Sequence, residues 1–362
     1  MSEVAELTAA LVQIDSVNPS LVPGAAGEAE IARFVAGWLA EAGLEVETVE
    51  RDGRPSVIGT ARGRGGGRSL LLNAHLDTVG VEAMEQPFDP RVEGGRLHGR
   101  GSYDMKGALA AALLATRDAA QLGLAGDVVV AAVADEELGS VGTESVLDHL
   151  RADAAIVCEP TELRVAVAHR GFAGFEIETH GVAAHGSMPH LGVDAIEKMG
   201  PILVALGALN ARLGAGTAHP LLGTGSLHAS LIEGGQEMSS YPARCLLTGE
   251  RRTLPGETDA EIERELREAA GDADVRVVVS RGPFAIDEGH ALVRTLLEVT
   301  GEREVIGLPF WTDAGLTAAA GIPTVLFGPA GEGAHAAVEW VDIASLERCR
   351  EVYVAAAQAL CG

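Results

Sequence analysis

Residues 69–77 read SLLLNAHLD. A short, unbroken apolar run closed by polar residues is the pattern of a strand buried on both faces, the usual situation in a parallel sheet. This run leads straight into His75 and Asp77, and the arrangement recurs. DVVVAAV at 127–133 leads into Ala134, Asp135, Glu136 and Glu137. AAIV at 154–157 leads, through Cys158, into Glu159 and Pro160, and TVLF at 324–327 leads into GPAGEGAH, which ends on His335. Helical patterns lie between the strands, at 29–42 and at the alanine- and leucine-rich 105–121. Strands alternating with helices predict an α/β layer fold, a mostly parallel sheet with helices on both faces. Asp104 falls in the loop just ahead of the second helix.

The texture changes after Arg170. Residues 172–180 alternate as a half-exposed strand does, 194–213 read as a helix, and 226–232 and 245–252 read as strands. Thr258, Asp259, Ala260 and Glu261 form a capping box that opens another helix, and 275–280 close the set as a strand. The order βαββαβ is the ferredoxin-like arrangement, an α+β unit of two layers. The first texture returns after Pro283, with a helix at 291–299. The expected organisation is therefore an α/β domain (1–171 and 284–362) interrupted by a smaller inserted domain (172–283). The glycine-rich RGRGGGR at 62–68 reads as a turn between strands; no GK[ST] follows it, which weighs against a phosphate loop.

Composition narrows the partners. At 362 residues the chain is long enough for about two domains. The 27 basic against 52 acidic residues leave a formal net charge of −25, which repels nucleic acid and anionic membranes alike. Lys106 and Lys198 are the only lysines. The four cysteines, Cys158, Cys245, Cys349 and Cys361, form no CxxC pair, so neither a zinc knuckle nor a disulfide framework is indicated. The first fourteen residues mix acids into an apolar pattern and read as an amphipathic helix rather than a signal peptide. No apolar run is long enough for a membrane span. The expected location is the cytoplasm.

The carboxyl ends of parallel strands form one edge, and ligands bind in the crevice there. His75, Asp104, Glu137, Glu159 and His335 would meet at that edge, a donor set that suits divalent metal. Three carboxylates and one hydroxide balance the charge of two divalent ions. A single ion would leave the cluster anionic. Two metals bridged by Asp104 and a water, roughly 3.5–4 Å apart, are therefore expected. Each residue alone has a plain structural reading. His75 could be a satisfied core histidine, Asp104 a helix cap, Glu136 and Glu137 a solvated turn, Glu159 a turn residue, and His335 a loop residue. Those readings do not explain why all five follow strands or open a helix at the same edge.

These residues lie in segments that resemble the acetylornithine deacetylase and succinyl-diaminopimelate desuccinylase family of di-zinc metallopeptidases, which includes aminoacylases and glutamate-releasing carboxypeptidases. The segments are NAHLDTV (73–79), GRGSYDMKGALAA (99–111), DEELGS (135–140), CEP (158–160), GVAAHGSMPHLGVDAI (181–196), ERRTLPGET (250–258) and GPAGEGAH (328–335). The resemblance implies a zinc-peptidase-like fold with a ferredoxin-like lid. Two Zn2+ ions, replaceable by Co2+, would be bridged by Asp104. His75 and Glu159 would complete one and Glu137 and His335 the other. Asp77 would hold the His75 ring, Glu136 would be the general base, and a cis peptide would follow Asp104. His185, in the lid, would stabilise the oxyanion, and Arg252 would anchor the substrate carboxylate. Homodimerisation would run through the lid.

Departures are informative. Glu250 stands where many relatives have aspartate, and Asp194 replaces a common asparagine. PFWTDAG (309–315) takes the place of a desuccinylase SGGTSD-like segment, with Thr312 and Asp313 as candidate substrate contacts. The expected activity is hydrolysis of the amide of an N-acyl amino acid, acetylornithine deacetylase-like, by a metal-activated water with Glu136 as base. The alternatives are a dipeptidase or carboxypeptidase, or a succinyl-diaminopimelate desuccinylase, acting on a small molecule or short peptide.

Overall fold

The computed structural model describes residues 1–81 and 84–362, and these form two compact units. The first comprises 1–167, 286–306 and 312–362; the second comprises 168–285 and 307–311.

In the first unit the apolar runs become the centre of a sheet. Six neighbouring strands of this sheet lie in the order Glu45–Arg51, Arg54–Ala61, Val128–Val133, Leu70–His75, Ala154–Val157, Thr324–Leu326. The last four are mutually parallel; the first two form an antiparallel hairpin added at one side. Every residue of the four parallel strands is buried, which is why their sequences show no alternation. The register sets His75 opposite Val133, and Asn73 and Leu326 each opposite Val157. The acidic and histidine residues that follow each strand therefore start from one level.

Helix Gly107–Ala119 is buried almost all round and packs against the C-terminal helix Ile343–Cys361, with small alanines permitting close approach. Helices Glu3–Val12 and Ala29–Glu41 bury one apolar stripe each. A small antiparallel sheet joins Arg91–Glu93, Arg96–His98, Trp340–Asp342 and Gly331–Glu332. None of the described helices is long and apolar enough to cross a membrane.

The second unit has the βαββαβ order: Gly171–His180, helix Ala195–Gly214, Ser226–Gly234, Arg244–Thr253, helix Asp259–Ala270, Asp274–Arg281. Its strands line up as Ser226–Gly234, Arg244–Thr253, Gly171–His180, Asp274–Arg281, all antiparallel. Phe175, Ile177 and Leu247 of the central strands pack against Met199, Leu206, Ile262 and Leu266 of the helices. The Thr258–Glu261 capping box forms with both reciprocal bonds. Asp194 caps its helix through the N–H groups of Ile196 (2.8 Å) and Glu197 (3.0 Å), a task asparagine performs as well, so this departure has a local explanation.

Candidate metal centre

His75 is the last residue of its strand and is buried. Its Nδ1 donates to the Asp77 carbonyl at 2.9 Å. A carbonyl can only accept, so in the neutral ring Nε2 carries the lone pair. That Nε2 faces Asp104 Oδ1 at 3.1 Å and Glu159 Oε1 at 4.0 Å. The other Asp104 oxygen, Oδ2, lies 3.5 Å from His335 Nε2, which is itself 3.0 Å from Glu137 Oε2. Two donor triads result, His75–Asp104–Glu159 and Asp104–Glu137–His335, sharing one carboxylate. The Asp104–Met105 peptide is cis, and His335 has a left-handed backbone with φ 61°.

The electrostatics reflect an excess of acid. Burial pushes the Glu159 carboxyl up to about 8 despite the neighbouring His75. Burial and then the Glu159 charge hold Glu136 well above its ordinary value. Burial alone would raise Asp104, yet hydrogen bonds from His335 and His75 hold it well below the usual carboxylate range. Hydrogen bonds to Asp104 and Glu137 raise His335 to about 10. Burial works against a charged His75, but the Asp104 hydrogen bond and the surrounding acids hold it well above its ordinary value. Lone pairs facing one another at 3.0–3.1 Å need a cation between them, and protons on the histidines are the least the cluster demands. The buried Glu137 Oε1 has no hydrogen-bond partner among the described residues, which leaves an acceptor for a further cation. Imidazole and carboxylate donors in two triads with a shared carboxylate fit a pair of divalent metals.

The family is legible in comparison with known proteins. The pattern of Peptidase family M20/M25/M40 matches residues 71–359. The chain belongs to this family. It is 30% identical to an acetylornithine deacetylase of Myxococcus xanthus, over 95% of this chain and 93% of the relative. It is also 30% identical to an N-formyl-4-amino-5-aminomethyl-2-methylpyrimidine deformylase of Halalkalibacterium halodurans, over 93% of this chain and 90% of the relative. Among solved structures, the aminopeptidase PepT of Bacillus cereus superposes with a TM-score of 0.80 at 21% identity, covering 99% of this chain and 98% of that one. The protein is thus an M20 metallo-hydrolase of amide bonds.

The M20 site has supports that the sequence does not announce. Asp77 was expected to hold the His75 ring with its carboxylate, but the ring takes the Asp77 carbonyl and the carboxylate stands 3.7 Å away. The carboxylate instead accepts from the N–H groups of Glu136 (3.1 Å) and Glu137 (3.2 Å), fixing the turn that carries both. Asn18 donates to Asp77 Oδ2 at 2.8 Å and to Asp135 Oδ1 at 3.0 Å. Arg54 pairs with buried Glu28 and reaches Asp135 at 3.0 Å. Asn18 sits in SVNPS, where asparagine before proline signals only a turn; nothing local points to a partner 59 residues on.

Thr312 and Asp313, expected as substrate contacts, are instead turned inward, each 1% exposed. Thr312 Oγ1 accepts from Ala314 N at 3.1 Å, and Asp313 accepts from Thr143 at 2.5 Å, which in turn accepts from Asn73. The Asp313 charge opposes ionisation of the Glu136 and Glu159 carboxyls. His185 and Arg252 belong to the second unit. His185 is exposed on a two-residue strand, with Nδ1 2.8 Å from Ser187 Oγ. Arg252 lies over the Phe172 ring, 5.5 Å from its centroid, and pairs with Glu250 at 2.5 Å.

Proposed function

We propose that this M20 enzyme hydrolyses the amide of a small N-acyl amino acid, in the manner of an acetylornithine deacetylase. The observation that carries the reading is the pair of donor triads joined by Asp104, with the Glu136 carboxylate, which belongs to neither triad, beside them. The residues would hold two Zn2+ ions, with Co2+ as a substitute. Bound there, such ions supply Lewis acidity and shift the ionisation of water toward neutral pH. Glu136 takes the proton of the attacking water and delivers it to the leaving amine nitrogen. Asp77 keeps Glu136 in place through its backbone N–H. His185 is proposed to stabilise the oxyanion, and Arg252, aligned by Glu250, to take the substrate carboxylate. The 30% identity to an acetylornithine deacetylase supports the acyl-amino-acid reading over a dipeptidase or carboxypeptidase. An equal identity to a formamide-cleaving relative keeps the acyl group small in this proposal. The test is a panel of N-acetyl, N-formyl and N-succinyl amino acids beside simple dipeptides, assayed with zinc and with cobalt. Acetyl or formyl substrates should exceed dipeptides in kcat/KM by tenfold or more; a preference for dipeptides would overturn the assignment.

The second unit is proposed to act as lid and as dimerisation module. Strand Ser226–Gly234 is an edge of its sheet, exposed along seven successive residues, with Leu231 65% and Ile232 53% accessible. The neighbouring helix Ala195–Gly214 adds Val204, 75% accessible. An unprotected edge beside exposed aliphatic side chains is a template for pairing, and a second copy of this chain satisfies it with the same strand. The pair of substitutions Leu231→Lys and Val204→Glu should convert a dimer to a monomer in sedimentation velocity. Wild-type protein that sediments as a monomer at micromolar concentration would contradict this. Four free, buried cysteines fit a reducing, cytoplasmic setting.

A further inference from the structure

The small sheet at the side of the first unit brings Arg100 and Glu339 together. His98 pairs with Trp340, so the residues just beyond the strand ends, Gly99 and Glu339, stand opposite each other, with Gly99 N donating to the Glu339 carbonyl at 3.3 Å. The Arg100 and Glu339 side chains are both buried. Glu339 Oε2 accepts from Arg100 Nη1 at 2.7 Å and Gly101 N at 3.0 Å, and Oε1 accepts from Tyr103 N at 2.9 Å and Asp104 N at 3.1 Å. Arg100 spends its remaining nitrogens on Gly80 O at 3.2 Å and Ala336 O at 3.0 Å.

Two features make this more than a buried ion pair. First, the N–H groups it satisfies, those of Gly101, Tyr103 and Asp104, belong to the tight, non-helical turn at Asp104–Met105 that precedes helix Gly107–Ala119. Glu339 therefore pins this turn from 235 residues away. Second, among the chain positions that the pair grips are Asp104 itself and its neighbour Tyr103, Ala336 beside His335, and Gly80 in the segment that leaves the His75 strand. Asp104 is the shared carboxylate. Asp104 must direct Oδ1 toward His75 and Oδ2 toward His335 at once, so the placing of its backbone decides whether it can bridge.

We infer that Arg100 and Glu339 are positioning residues that hold the bridging carboxylate and the His335 loop in register for two cations. The inference rests on the two-metal reading above. Glu339 meets four donors, and only a group that is all acceptor can do so; glutamine would turn an NH2 against them. Lysine at position 100 keeps the charge but cannot reach Glu339, Gly80 and Ala336 together.

The experiment uses the full chain with Co2+ as probe, in wild type, Glu339→Gln, Glu339→Asp and Arg100→Lys. Cobalt affinity is measured by competition with a chromophoric chelator, together with the visible Co2+ spectrum, far-UV circular dichroism, kcat and KM. Glu339→Gln and Arg100→Lys should keep the wild-type circular dichroism, lose about 10–100-fold in Co2+ affinity and show an altered Co2+ spectrum. Their kcat should fall with little change in KM, and Glu339→Asp should recover part of the affinity. Folded variants with wild-type affinity and spectrum would overturn the inference, even if their melting temperatures drop. Wild-type protein that binds no Co2+ would instead sink the metal reading itself. Amide hydrogen exchange in the wild type decides the matter should the variants not fold. Tyr103 and Asp104 are expected to be strongly protected, and exchange at unprotected rates would contradict their bonds to Glu339.

Discussion

Glu136→Ala is expected to lower kcat by roughly 10²–10⁴-fold, the range that a positioned general base contributes, while metal content stays at the wild-type level. The separation of the two effects follows from the geometry. Glu136 is outside both donor triads, and its N–H, which Asp77 accepts at 3.1 Å, survives the substitution. The turn is thus kept and only the carboxylate is lost. Glu136→Gln should behave similarly, because the amide has no proton affinity near neutral pH. Glu136→Asp should retain more activity, since a carboxylate remains at shorter reach. Steady-state kinetics with metal analysis on the same preparation checks this. Near-normal turnover in Glu136→Ala would assign the base elsewhere, and loss of metal would make Glu136 a ligand.

Asp104→Asn is expected to have the second large effect. Asp104 is the one residue common to both triads, and each oxygen faces a different histidine. Asparagine removes the charge and replaces one acceptor oxygen with an NH2 group that cannot ligate. Loss of Lewis acidity worth several kcal/mol corresponds to about 10³-fold or more in rate. Metal content should fall below the wild-type stoichiometry, and the rise in melting temperature on adding zinc, expected of wild type, should be much reduced. A chelator applied to wild type should reproduce the loss of activity, reversibly. Asp104→Asn that binds two metals with wild-type affinity would exclude a bridging role.

How much of this was legible beforehand follows from the range over which each signal acts. The parallel strands could be read because burial on both faces demands uninterrupted apolar residues over a few positions, as at 70–72 and 128–133. The strands at 128–133 and 154–157 end where expected, while the first runs one residue further to take in His75 and the last stops one residue earlier at Leu326. The five metal-type residues could be read because each follows a strand or opens a helix. The capping box at Thr258 is likewise a local code. Helix Val141–His149 and the C-terminal helix Ile343–Cys361 are absent from the sequence reading. The first is short with a weak apolar stripe; the second, rich in alanine, buries residues around much of its circumference, so neither has a sharp period. The residues behind the site were illegible for a different reason. Asn18 and Asp77, and Arg100 and Glu339, meet only through the fold, across 59 and 239 positions of chain. The same holds for the atom that steadies His75. The Asp77 carboxylate was expected to hold the ring, and only the fold shows that its carbonyl does so instead.

The most direct test of the account is anomalous diffraction from crystals of the full chain grown with zinc, recorded on both sides of the zinc edge. The account predicts two peaks, one held by His75, Asp104 and Glu159 and the other by Asp104, Glu137 and His335, at a separation of roughly 3.5–4 Å. A single peak, or zinc bound by other side chains while these five stay unliganded, would contradict it.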